Sequence, residues 1–66
     1  YVYWPTLKQN KSKRFLTYNM EQQGQMVQDR YLLLNNLDLT IDGNTDAEGN
    51  YGVVDAVVDQ AFPTAN

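Results

Sequence analysis

The sequence predicts a small, mainly β domain: an antiparallel sheet or sandwich-like fold with a calcium-type loop and, near its C-terminal end, one short helix or a further strand. Three observations predict it. Tyr1 to Trp4 is aromatic and β-branched and is stopped by Pro5, the pattern of a short edge strand. Leu37, Leu39 and Ile41 alternate with Asp38 and Thr40, the pattern of a half-buried strand. Asp42 to Gly52 is rich in Asp, Asn and Gly and reads as a loop.

The remaining elements follow in order. Lys8 to Arg14 is polar and basic, a turn, and Phe15 to Tyr18 reads as a second strand. Gln22, Gln23, Gly24 and Gln25 suggest another turn, and Val27 to Leu34 suits strand or helix. Two places resist the β reading. Asn19 followed three residues later by Gln22 forms a helix-capping pattern that would open a helix running to Leu34. Gly24 counts against that helix, at a cost of about 1 kcal/mol relative to alanine. Val54, Val57, Val58, Ala61 and Phe62 follow helical spacing, yet four valines favour a strand locally, so both remain open for 53–62. The expected core is Trp4, Phe15, Tyr18, Tyr31, Leu33, Leu37, Leu39, Ile41, Val54, Val57 and Val58.

Composition limits the chemistry. The 66 residues allow one small domain. The chain opens at Tyr1 without a methionine, which points to a processed subunit or a piece of a longer chain. There is no histidine or cysteine, and Ser12 is the only serine, which excludes disulfides, thiolate or imidazole metal sites and histidine-based triads. Paired carboxylates for glycoside hydrolysis have little room for a cleft here, so no enzymatic activity is expected. A net charge of −3 argues against nucleic acid, and no apolar run is long enough to span a membrane. All five bases, Lys8, Lys11, Lys13, Arg14 and Arg30, lie in the first half against Glu21 and Asp29, whereas the other six acids lie between Asp38 and Asp59. The two halves are either solvated faces or mutually attractive surfaces.

Domains below roughly 70–80 residues seldom draw more than about 3–5 kcal/mol from a core alone and usually add disulfides, a metal or a partner. The acidic loop supplies candidate ligands. Hard cations take about six to eight oxygens, and acidic or amide side chains at alternate positions converge on one ion while glycines turn carbonyls inward. Asp42, Asn44 and Asp46 have that spacing, Glu48 adds a carboxylate, and Asp55 falls at a twelfth-position ligand once Ala47 and Glu48 are counted as an insertion. A frame starting at Asp38 places Gly49 at the twelfth position, where no side-chain oxygen exists. The alternative is that Asp-Gly and Asn-Tyr-Gly make tight turns and bind nothing.

Leu39-Thr40-Ile41-Asp42-Gly43, Asp46-Ala47-Glu48-Gly49 and Gly52-Val53-Val54-Asp55 resemble the short choice-of-anchor domain beside the C-terminal anchor of many bacterial surface proteins. Val2-Tyr3-Trp4-Pro5 and Phe15-Leu16-Thr17-Tyr18 are similar in placing to its early aromatic strands. The spacing is shorter than in that family, Tyr51-Gly52 stands for Asn-Gly, and no proline follows Asp55 or Asp59. Gly49 to Val58 is also similar to the second half of a dockerin calcium loop and the helix after it. Both resemblances imply an extracellular or cell-surface location and no catalysis.

The expected function is thus a non-catalytic, ion-stabilised structural or interaction module, with calcium as the ion and protein (the same chain type or the parent protein) as partner. One alternative is a subunit of an extracellular filament or multi-chain assembly, its strands completing a neighbour's sheet. Another is a carbohydrate-binding module that stacks sugars on Trp4 and the tyrosines, rings that otherwise belong to the core.

Overall fold

The computed structural model describes residues 1–63, and those residues form helices and no strand. The mainly β expectation is therefore corrected. Helix α1 spans Trp4–Gln9, a 3-10 turn covers Phe15–Thr17, and α2 spans Met20–Leu34. A longer 3-10 segment, Asp42–Gly49, leads into α3 at Tyr51–Asp59.

Each misread element has a local cause. Pro5 does not end a strand; it lies in the first turn of α1, where a missing N–H is no loss and the fixed φ suits a helix. Phe15 to Tyr18 is a single 3-10 turn, with the Phe15 amide held by Gln60 Oε1 at 2.8 Å. In α2 the capping pattern prevails over Gly24. Asn19 Oδ1 accepts from the Gln22 amide at 2.7 Å and Gln22 Oε1 accepts from the Asn19 amide at 3.2 Å, a complete capping box. Helix α2 ends just as specifically. Asn36 takes a left-handed φ of 57°, the Leu37 amide reaches back to Leu32 O at 2.8 Å and the Asn36 amide to Leu33 O at 3.2 Å. Those two bonds make a Schellman motif.

Leu37 to Ile41 is irregular chain that leads away from that cap; its alternation buries Leu39 and leaves Leu37 exposed, with no strand to pair against. In α3 helical periodicity outweighs the valines' β preference, because Val54, Val57 and Val58 all face the core. The helical alternative for this stretch is the correct one.

Helix α3 packs mainly against α2, while α1 packs against the Asp42–Gly49 segment. The core joins Trp4, Phe15, Tyr18, Leu39, Val54, Val57 and Val58 from the expected set to Tyr3, Leu7, Met26 and Ala47. Leu33 and Ile41 are half-buried, and Tyr31 and Leu37 are exposed. Phe62 turns back beyond α3 to meet Phe15 edge to face, ring centroids 6.0 Å apart.

A buried polar network fixes which side of α2 faces inward. Asp29, with no exposed surface, accepts from the Tyr3 hydroxyl at 2.7 Å and from Gln25 Nε2 at 2.9 Å. Gln25 Oε1 in turn accepts from the Tyr1 nitrogen at 3.1 Å. Burial, then the bond to Asp29, pushes the Tyr3 phenol well above its ordinary ionisation range. The folded chain thus holds that proton more tightly than the unfolded chain. Its contribution is complete below about pH 10 and is lost as pH rises beyond that value. An alkaline titration followed by circular dichroism should show stability falling above about pH 10. Tyr3→Phe should be less stable at neutral pH by about 1–3 kcal/mol and should decline less steeply in alkali. An equally steep decline in both proteins would show that Tyr3 does not carry the effect.

Candidate functional site

The structure gives the five expected ion ligands separate surroundings. Asn44 is fully buried: its Oδ1 accepts from the Tyr3 and Trp4 amides, both at 3.0 Å, and its Nδ2 donates to Tyr1 O at 2.9 Å. Tyr3, the residue before α1, offers no side-chain cap, so Asn44 supplies one from a distant part of the chain. Glu48 Oε2 accepts from the Leu39 amide at 3.0 Å. Asp55 sits on α3 beside Arg30, at 3.7 Å, and accepts from the Tyr51 hydroxyl at 3.3 Å. Asp42 and Asp46 are exposed on the 3-10 segment. Among the described residues no group of three or more acids is gathered to hold a metal ion. An ion claiming Asn44 Oδ1 would have to displace both amides of the chain's first turn.

Next to Asn44, the backbone of Gly43 lies against Val2. A Cβ on Gly43 would stand 2.7 Å from Val2 Cγ2 and 2.8 Å from Cγ1, so any larger residue there would make Val2 shift. The acidic loop and the N-terminal segment therefore meet at two consecutive positions.

The aromatic residues divide by exposure. Tyr3, Trp4 and Tyr18 are buried and offer no ring to a sugar, whereas Tyr1, Tyr31 and Tyr51 are exposed. No helix among the described residues is long and apolar enough to cross a membrane.

The most unusual surface is the outward side of α2. Its inward side carries buried Gln25, Met26 and Asp29, with Leu32 and Leu33 half-buried against the core. Its outward side carries Met20, Gly24, Val27, Tyr31 and Leu34, spaced four, three, four and three residues apart. That spacing places all of them in one stripe along about 22 Å of helix and matches a coiled-coil seam. Met20, Tyr31 and Leu34 are 82 %, 62 % and 61 % exposed. At the N-terminal half of the stripe an open apolar hollow is lined by Met20, Gly24 and Val27 together with Phe15 and Phe62. Gly24 forms part of this lining, and a Cβ placed there would meet nothing within 4 Å.

Sequence reasoning missed this stripe because the alternation of strands was the template being matched. The signal was present in the spacing of 20, 24, 27, 31 and 34. Comparison with protein families, with curated proteins and with solved structures finds no match for the chain.

The Asn44 geometry has a direct consequence. Asn44→Ala leaves two buried amides without an acceptor and should cost roughly 2–4 kcal/mol, most of what so small a domain possesses. The wild-type melting midpoint should agree within about 2 °C in calcium and in excess chelator, since Asn44 and Glu48 already serve backbone amides. A rise of many degrees with calcium would contradict that assignment.

Proposed function

We propose that the chain is a non-catalytic interaction module that docks a helical partner on the outward face of α2. The observation that carries this reading is a second apolar side on the helix: Met20, Tyr31 and Leu34 turn outward, while Met26, Leu32 and Leu33 pack with Gln25 and Asp29 on the inward side. Single exposed apolar residues are ordinary on a small protein, but a continuous stripe with a hollow beside it is the usual form of a binding surface. Docking an amphipathic helix into such a groove relies on anchors at three- and four-residue spacing, which the stripe provides.

A strand lent to a neighbour's sheet requires a strand, and the described residues hold none. The proposed contact uses the exposed residues of α2 instead. The reading retains the expected class of partner, protein, and places the interaction on residues outside the acidic loop.

The test separates docking from folding. With Met20, Tyr31 and Leu34 all changed to Gln, the melting midpoint of the dilute protein should shift by only a few degrees, because exposed substitutions each change stability within about 0.5 kcal/mol. Uptake of the fluorescent apolar probe anilinonaphthalene sulfonate, saturable in the wild type, should be lost in the triple variant. A variant that fails to fold, or that takes up the probe as well as the wild type, would overturn the reading.

A further inference from the structure

We infer that the helix docked on α2 is α2 of a second copy of this chain, packed antiparallel about a two-fold axis near Val27, with Tyr31 of each copy seated over Gly24 of the other. This rests on the docking reading above and names its partner.

Size complementarity is the first support. An antiparallel pairing centred near Val27 sets Met20 against Leu34 of the second copy and Gly24 against its Tyr31. The largest exposed side chain of the stripe then meets the one position without a side chain. The hollow around Gly24, walled by Phe15, Met20, Val27 and Phe62, is apolar and open, so a ring has somewhere to go. Gly24 has no other evident role. Its backbone is ordinary helix, and nothing in the fold crowds a Cβ there. A glycine that costs a helix about 1 kcal/mol and meets no steric need within its own chain is accounted for by close approach of another.

Charge supplies the second support and fixes the orientation. The segment before α2 carries Lys11, Lys13 and Arg14, with Lys13 over the Tyr18 ring just ahead of the helix, and the segment after it carries Asp38, which lines a hollow with Leu33 at the helix's C-terminal end. Arg14 and Asp38 are both exposed. Antiparallel packing brings the basic end of each copy to the acidic end of the other, twice over by symmetry. Parallel packing would set bases against bases. Helix dipoles favour the same choice. The flanks of the stripe are Gln23, Gln28 and Asn35, with Glu21 and Arg30 near the ends, so no like charges face each other along the seam in the antiparallel arrangement. An isologous contact of this kind closes at two copies and does not propagate.

A seam of four turns is short, and a dissociation constant of roughly 1 µM to 1 mM is expected. Sedimentation velocity across that range should show a monomer giving way to a dimer and nothing larger. Gly24→Leu puts a side chain into the hollow, starting from a Cβ that meets nothing within 4 Å, and should weaken the dimer roughly tenfold or more. Tyr31→Ala should weaken it to a similar degree. Orientation is read from a nitroxide on Ser12→Cys, the chain having no cysteine of its own. In a mixture with isotope-labelled unmodified protein, an antiparallel dimer broadens the amides from Leu34 to Asp38 of the labelled copy. Broadening near Lys11 to Leu16 instead would overturn the arrangement. A Gly24→Leu protein that dimerises as well as the wild type would also overturn it. A chain that stays monomeric at 1 mM (the upper end of the range, roughly) while still taking up the apolar probe would overturn self-association and leave the docking face standing. Failure of both would remove both.

Discussion

The rest of this structure depends on one buried amide. Asn44 closes three hydrogen bonds to Tyr1, Tyr3 and Trp4 and so joins the first residues of the chain to a segment some forty positions away. Tyr3 is thereby fixed where its hydroxyl meets Asp29, and Asp29 with Gln25 turns one side of α2 inward. Once that side is committed, Met20, Tyr31 and Leu34 are left exposed on the other, while Val27 between them packs against the core near Phe15 and Phe62. The exposed apolar residues of α2 are therefore the far end of a chain of contacts that begins at Asn44.

This arrangement answers the problem of size without a disulfide. Two small polar networks are enclosed by an apolar core drawn from every element, and Gly43 lets Val2 close over the junction. Hydrogen bonds in such surroundings are strong when all partners are present and expensive when one is missing, which makes the fold specific as well as stable. Arg30 adds a tie at the surface, donating to Phe62 O at 2.9 Å and lying beside Asp55, so the end of α3 is held against α2.

Part of this was legible in the residues. Asn19 and Gln22 marked the start of α2, and the spacing of Val54, Val57 and Val58 marked α3. Seven of the core side chains were recognisable from their chemistry. The β reading failed where a short pattern has two physical meanings. Pro5 suits the end of an edge strand and the first turn of a helix equally, and alternation over Leu37 to Ile41 describes a strand only if another strand lies beside it. Tyr31 and Leu37 were expected inside because large apolar side chains usually are, yet both are exposed. The acidic loop drew attention to Asn44 as a ligand oxygen, and that oxygen accepts from two backbone amides. Nothing in local spacing reveals a hydrogen bond spanning forty residues.

The central claim is that α2 turns Met20, Tyr31 and Leu34 outward while Gln25, Met26 and Asp29 turn in, and the chain's two methionines report on it directly. Met20 is 82 % exposed and Met26 is 0 % exposed, on different faces of the same helix. With both methyl groups carbon-13 labelled, a soluble gadolinium chelate added to protein dilute enough to be monomeric should broaden the Met20 signal strongly and leave Met26 sharp. Equal broadening, or a protected Met20 beside an accessible Met26, would contradict the account.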